Sequence, residues 1–96
     1  MAIYSVIPLG TGHDVLEKSI KKLPEGDVYE LNGKSGWLVR FPGTSIELCS
    51  SLGLPTKRGE AGAVQPTPAV LVSALVGYYG FGPRDMWEWV KTREEP

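Results

Sequence analysis

The 96-residue sequence predicts an α+β fold of the ferredoxin-like βαββαβ type, with a four-stranded antiparallel sheet. Three observations predict it. Apolar, β-branched segments lie at 3–7 and 69–79, as in buried strands. Segments 13–23 and 44–52 have apolar residues at helical spacing. A turn sequence flanked by two strand-like segments separates these helices. We therefore expect two helices on one face of the sheet, plus a C-terminal helix.

The first strand and the first helix are predicted over residues 3–7 and 13–23. The apolar positions in 3–7 do not alternate cleanly, which suits a strand buried on both faces, and Pro8 ends it. The helix carries its acidic residues early and its lysines late, the order that the helix dipole favours. Pro24 marks its end.

A β-hairpin is predicted over 27–31 and 36–41. An Asn-Gly pair follows the first of these segments, and both residue types tolerate the positive φ angles that tight hairpin turns require. In the second segment Trp37, Val39 and Phe41 share one face of the strand. We expect this face to contact the helices.

The second helix is predicted over 44–52. Residues 44–47 read Thr-Ser-Ile-Glu, a capping box in which the hydroxyl and the carboxylate each accept a hydrogen bond from the other residue's backbone amide. Gly53 follows the helix and is a residue type that commonly ends one.

The whole chain, 1–96, is predicted to be a single domain. Residues 1–53 form its βαββα part, and 54–68 form a loop rich in proline and glycine. Residues 69–92 supply a central strand and the C-terminal helix. The strand is placed at the centre of the sheet, paired with the first strand, because these two segments are the most apolar of the predicted strands. Pro83 favours a helix start.

The composition excludes several classes of protein. A hydrophobic content of 42% and nine aromatic residues exclude a disordered chain. Ten basic and eleven acidic residues give a net charge of −1, so no strong attraction to nucleic acid is expected. No apolar run is long enough for a membrane span. The single cysteine, Cys49, excludes a disulfide scaffold and is interpreted as a small buried hydrophobe. With no signal-peptide pattern at the N-terminus, we expect a cytoplasmic protein without membrane association.

Few residues are candidates for catalysis. His13 is adjacent to Asp14 near a helix start, but adjacent helical residues point in different directions. An exposed or capping histidine is the simpler interpretation. No second histidine or cysteine stands at metal-ligand spacing, so neither a zinc site nor another cofactor is predicted. We identify no catalytic residue and favour a protein that is not an enzyme.

Two predicted helix starts are candidates for anion binding through backbone amides. The first contains Gly10, Thr11 and Gly12, and the second contains Thr44 and Ser45. The first lacks both the GxGxxG fingerprint and the lysine of a phosphate-binding loop. A tight turn and a helix cap explain the two segments more simply, and a small-molecule or nucleotide site there is an alternative.

The C-terminal segment is unusually dense in large side chains that are typical of interfaces. The candidate interface residues are Tyr78, Tyr79, Phe81, Met86, Trp87 and Trp89. The two tryptophans lie about 200° apart on a helix and cannot both face one core. Either Trp89 covers the open sheet face with Met86 and Val90 while Trp87 packs elsewhere, or one tryptophan contacts a second subunit or another protein.

Nucleic-acid binding is a possible but not a favoured alternative. Tyr4, Tyr29 and one of the tyrosines at 78–79 are candidates for a base-stacking platform on the open sheet face. The RNP pattern of RNA-binding sheets is missing, and the basic residues are scattered along the chain.

Segments 37–39, 43–48 and 52–54, followed by Tyr-Tyr-Gly at 78–80 and Trp-Glu-Trp at 87–89, resemble a group of small, largely uncharacterised bacterial and phage proteins. These proteins share this order of strands and helices and an aromatic ending. The resemblance covers most of the chain and implies a fold, not an activity.

The chain is also similar to the small ferredoxin-like ribonucleases of the Cas2 and VapD type, which begin with a short strand. Those families carry an acidic residue at or near the end of strand one. Here that position reads Ile7-Pro8-Leu9, and the nearest acid, Asp14, lies inside the helix. The resemblance therefore implies a degenerate nuclease at most.

We favour a small, non-enzymatic binding or regulatory protein that acts through protein–protein contact, as a homodimer or with another protein. A surplus of aromatic residues beside an absence of polar catalytic clusters is the basis of this hypothesis. The alternatives are a nucleic-acid-binding module or degenerate nuclease, and a small-molecule or nucleotide binder.

Overall fold

The computed structural model describes residues 2–10, 12–56, 69–75, 80 and 82–93. These residues form an α+β fold with a four-stranded antiparallel sheet and three α-helices. In chain order the elements are β1 (Ala2–Pro8), α1 (His13–Ile20), β2 (Val28–Leu31), β3 (Gly36–Phe41), α2 (Ser45–Ser51), β4 (Val70–Ala74) and α3 (Arg84–Arg93). Short 3-10 turns, Glu25–Asp27 and Asn32–Lys34, flank β2.

The strands lie in the order β2-β3-β1-β4, and each neighbouring pair is antiparallel. Val6 is opposite Trp37 on β3 and opposite Val72 on β4. The predicted pairing of the first and last strands is therefore confirmed. The predicted central position of the last strand is wrong, because β4 forms an edge of the sheet made by the described residues. No residue of β4 is buried, so its apolar sequence did not distinguish an edge strand from a central one.

The first hydrophobic core lies between one face of the sheet and the first two helices. Its buried residues are Tyr4, Val6, Leu16, Ile20, Trp37, Val39, Leu48, Leu52 and Leu54. Because side chains alternate along a strand, Val6 of β1 and Trp37 and Val39 of β3 belong to the same sheet face. Phe41 packs against the same core, as the sequence predicts. This core positions the start of α1 over β3.

A smaller core lies on the opposite face of the sheet. Ile3, Leu38 and Val90 are its buried residues. Met86 and Trp89 of α3 pack against it, together with two residues of β2 and Leu75, which follows β4. The third helix therefore covers part of the sheet face that the first two helices leave uncovered.

Local sequence signals explain two of the element boundaries. The capping box of α2 is present: the Thr44 side chain accepts a hydrogen bond from the Glu47 amide at 3.2 Å, and the Glu47 carboxylate accepts one from the Thr44 amide at 3.1 Å. At the start of β3, Gly36 has a φ of +142°, and a Cβ there would lie 2.4 Å from the Val6 carbonyl oxygen. Only glycine allows β3 to approach β1 this closely.

No helix in the described ranges has both the length and the apolar character needed to cross a membrane.

Candidate functional site

His13 is the first residue of α1 and lies against the sheet, where it is only 8% exposed. Its imidazole ring stacks on the indole of Trp37, with 4.5 Å between the ring centroids and 19° between the ring planes. The sequence predicts an exposed or capping histidine, and this prediction is wrong. Burial follows because α1 begins directly above β3, so that its first side chain contacts the sheet rather than solvent.

The polar atoms of the His13 ring lack hydrogen bonds within the described part of the chain. Neither Nδ1 nor Nε2 has a hydrogen-bond partner among the described residues. The nearest carboxylate oxygens are those of Asp14, 3.6 Å from Nδ1, and of Glu30, 4.0 Å from Nε2. A buried donor without a partner costs about 1–3 kcal/mol, and buried polar groups in native proteins are usually satisfied. The site therefore has unused hydrogen-bonding and ligand capacity.

Two acidic side chains come together with this ring. Glu17 lies one helical turn after His13, and Glu30 lies on β2. One ring nitrogen of His13 and one carboxylate oxygen from each glutamate lie within 4.8 Å of one another. A pocket of about 470 Å³ adjoins the group and is lined in part by Glu17, Glu30 and Trp37. The cluster is consequently open to solvent on one side.

Lysines partly balance the acidic charge of this region. Lys21 Nζ lies 3.5 Å from a Glu17 carboxylate oxygen, and Lys34 Nζ lies 4.0 Å from one of Asp14. Both lysine side chains are more than 70% exposed, at 74% and 73%. Exposed ion pairs of this kind contribute at most about 1 kcal/mol, so the lysines can be displaced at low cost.

Among the predicted interface residues, Met86 and Trp89 of α3 pack against the second core. Trp87 is half-buried and lines a second pocket, of about 500 Å³, beside Gly80 and Gly82. This arrangement matches the first of the two alternatives that the sequence leaves open, in which Trp89 covers the sheet and Trp87 packs elsewhere. The other candidate interface residues, Tyr78, Tyr79 and Phe81, lie outside the described residues.

Tyr29 and Arg93 contact the ring of Trp89. Its ring lies 6.0 Å from that of Tyr29, and the Arg93 guanidinium lies 4.7 Å above it. The Tyr29 hydroxyl donates to the Asp85 carboxylate at 2.8 Å. Burial raises the pKa of Tyr29. The hydrogen bond to Asp85 and the negative charge of the Asp85 carboxylate raise this pKa further.

The stacking platform considered for nucleic acid is not formed by Tyr4 and Tyr29. Tyr4 is buried in the first core, and its hydroxyl donates to the Gly43 carbonyl at 2.6 Å. Tyr29 packs against the second core beside Trp89. Strand alternation places these two rings on opposite sheet faces, which removes the geometric basis for the platform.

The two helix starts considered as anion sites differ in which protein groups lie at the N-terminus of the helix. At α2, the Thr44 hydroxyl and amide are used by Glu47, which brings a carboxylate to the site that an anion would take, and Ser45 is the first helical residue. At α1, Gly12 is the N-cap, and Gly10 adopts a φ of +119° in the turn before it. Thr11 lies outside the described residues.

Cys49 is half-buried and packs against the first core, so the interpretation as a small hydrophobe agrees with its contacts. Burial raises the pKa of its thiol. A raised pKa keeps the thiol protonated at neutral pH and makes it a poor nucleophile.

The two edge strands of the described sheet differ in their sequences. On β4 (Val70–Ala74), which contains no charged residue and no proline, Leu71 is 52% exposed. Leu9, 58% exposed, lies at the same end of the β1–β4 pair, where its amide donates to the Ala69 carbonyl at 2.8 Å. The other edge, β2, is shorter and carries Glu30.

Comparison of this chain with protein-family models, curated proteins and solved structures gives no match. The resemblance to small bacterial and phage proteins therefore stays a prediction. Sequence reasoning missed the group of His13, Glu17 and Glu30 because it searched for a second histidine or cysteine. The spacing of His13 and Glu17, four residues apart in a predicted helix, was the signal that half of the group shares a helix face.

Proposed function

We propose that this protein is a non-enzymatic contact module that pairs with a second copy of itself through the outer edge of β4. The observation that carries the proposal is Leu71, a large apolar residue that is 52% exposed on an edge strand. Natural edge strands are commonly protected by charges, proline or a bulge, because an open strand edge pairs with other strands. β4 contains no charged residue and no proline.

A second copy of the chain is the occupant that suits this edge best. Two β4 strands that pair antiparallel about a two-fold axis place the same residues on both sides, so the contact is self-complementary. The net charge of −1 opposes such pairing only weakly. The side chains of Leu71 and Leu9 would add apolar burial next to the new strand pair.

The proposed contact surface on β4 differs from the one that the sequence predicts. The sequence predicts the interface in the C-terminal segment 78–89, but Met86 and Trp89 of that segment pack against the second core. Trp87 is the one residue of this predicted group in the described ranges that lies outside that core, so α3 remains the rival location for the interface.

For the fold, we infer the ferredoxin-like arrangement. The strand order β2-β3-β1-β4 with antiparallel neighbours is the order that two right-handed βαβ crossovers produce. The shared core of α1 and α2 supports the same inference. The cytoplasmic location expected from the unpaired Cys49 remains a prediction.

The mass of the chain in solution tests the dimer. Size-exclusion chromatography with light scattering at about 100 μM, where a complex with a micromolar Kd is populated, is expected to give twice the 10.4 kDa mass of one chain. Leu71→Lys puts a charge on the strand edge and is expected to give the single-chain mass. Ile46→Lys is the matched control, because Ile46 is 64% exposed on α2, and it is expected to leave the dimer intact.

Three results would contradict this proposal. The wild-type chain could be a monomer at this concentration, or Ile46→Lys could dissociate it as fully as Leu71→Lys does. If Trp87→Ala dissociates the dimer and Leu71→Lys does not, the interface lies on α3 instead.

A further inference from the structure

We infer that His13, Glu17 and Glu30 form a binding site for a divalent transition-metal ion of the zinc class, at the junction of α1 and β2. This inference is independent of the proposed self-association, because β2 and β4 are opposite edges of the described sheet.

The first reason is the state of the His13 ring. Its side chain is nine-tenths buried, and neither nitrogen has a hydrogen-bond partner in the described part of the chain. The stack on Trp37 fixes the plane of the ring. The ring is held in place, and its nitrogens have no partner among the described residues. It has therefore already lost the side-chain freedom that metal binding would otherwise remove.

The second reason is the type of donor that faces the ring. One imidazole nitrogen and two carboxylate oxygens form a donor set that zinc and neighbouring divalent metals accept. The two carboxylates, as metal ligands, carry negative charge that a divalent ion neutralises. The oxygen-preferring ions Mg²⁺ and Ca²⁺ gain less from such a site, because imidazole is a poor ligand for them.

The third reason is that the group can close around an ion. Ligands of a tetrahedral zinc ion lie about 3.3 Å apart, so separations of up to 4.8 Å must shrink by roughly 1.5 Å. Glu30 and Glu17 have side chains that are 58% and 35% exposed, which leaves them free to change rotamer. Closure displaces Lys21 from Glu17, and the exposed ion pair between them is weak.

The pocket beside the group determines what kind of site this is. Three protein ligands leave a coordination position of a four-coordinate ion unfilled, and the pocket lined by Glu17, Glu30 and Trp37 gives solvent access to it. The site is therefore of the open type, in which water or a small anionic ligand completes the metal's coordination.

Titration of the untagged 96-residue chain with zinc chloride, followed by calorimetry, tests the inference. We expect one ion bound per chain and a rise in the thermal unfolding midpoint, since an ion that binds only the folded state stabilises it. Magnesium and calcium chloride at the same concentration are expected to produce a smaller rise or none. Absence of zinc binding, or equal binding of magnesium, would overturn the inference.

Variants at the two carboxylates, neither of which is buried, locate the site. Glu30→Gln and Glu17→Gln are each expected to weaken zinc binding by at least about tenfold, because even groups that only support a ligand typically contribute that much. Glu25→Gln is the matched control: Glu25 lines the same pocket but is not a member of the group, so the affinity should not change. Zinc binding that persists in both Glu17→Gln and Glu30→Gln would overturn the assignment.

Two further measurements separate this site from other zinc ligands. Cys49 is a free cysteine, so the titration is repeated on Cys49→Ser, in which zinc binding is expected to be retained. His13 is the only histidine of the sequence, so ring-nitrogen NMR signals report on it alone. We expect one ring nitrogen to shift to the metal-bound range on zinc addition. Binding lost in Cys49→Ser, or an unshifted ring, would contradict the inference.

Discussion

The two faces of the sheet are covered in different ways. On one face, α1 and α2 enclose a core whose buried members include Val6, Leu16 and Leu48, each of which has no exposed surface. On the other face, α3 covers Ile3 and Leu38 with Val90 as its one buried residue in the described ranges. At the edge of that smaller core, the Tyr29–Asp85 hydrogen bond and the contact of Arg93 with Trp89 help to hold α3 in place.

This difference indicates which part of the fold is more stable. Burial of apolar surface contributes most of the free energy of folding, and it is concentrated on the face of α1 and α2. Partly exposed hydrogen bonds and ion pairs contribute less, because water competes for the same groups. We therefore expect α3 to open locally at a lower free energy than the rest of the sheet.

The largest expected effect comes from the same substitution made in each core. Leu48→Ala in the first core should lower the free energy of unfolding by about 3–4 kcal/mol, and Leu38→Ala in the second by about 2 kcal/mol, because a tightly enclosed site leaves the larger cavity. Urea denaturation of both variants measures the difference. A larger loss of unfolding free energy for Leu38→Ala than for Leu48→Ala would show that the second core is not the less stabilising of the two.

An intermediate effect is expected at the end of α3. The Arg93 Nε donates to the Gly26 carbonyl at 2.6 Å, and its guanidinium lies above Trp89. Arg93→Ala should lower the free energy of local opening of α3 by about 1–2 kcal/mol. Amide hydrogen exchange measures this opening, with Lys91→Ala, an exposed change on the same helix, as the control. Equal protection of α3 amides in both variants would contradict the expectation.

The smallest expected effect depends on pH. Because the folded-state pKa of Tyr29 is raised above its unfolded value, its stabilising contribution is complete below pH 10 and is lost as the pH rises through the folded pKa. Tyr29→Phe should cost less than about 1 kcal/mol at pH 8. The free energy of unfolding of Tyr29→Phe should also decrease less than that of the wild type as the pH rises above 10.

Absorbance titration of tyrosinate provides the accompanying measurement for Tyr29. In the wild type, this residue should ionise at a higher pH than a tyrosine in the unfolded chain. Asp85→Asn should lower the pKa of Tyr29 but leave it above its ordinary value, because burial is the larger cause and is unchanged. An identical titration of the wild type and Asp85→Asn would exclude the hydrogen bond as a contributor.

Much of the local structure was predictable because it depends on nearby residues. The capping box at Thr44 and Glu47 and the inward face of Trp37 and Val39 follow from spacings of two to three residues. The hairpin of β2 and β3 was also predicted, with nearly the same strand bounds. The residues with positive φ in its connection are Gly33 and Lys34, whereas the sequence predicts them at the Asn-Gly pair.

The strands and helices could be predicted from the sequence alone, because hydrophobic periodicity and turn residues act over short distances along the chain. The tertiary structure was needed to show that β4 lies at an edge, that Trp89 packs in the second core, and that Glu30 approaches His13. The physical reason is that these outcomes depend on how whole elements pack. A strand's neighbours and a buried ring's surroundings come from segments distant in sequence, and a single sequence carries no direct signal of that juxtaposition.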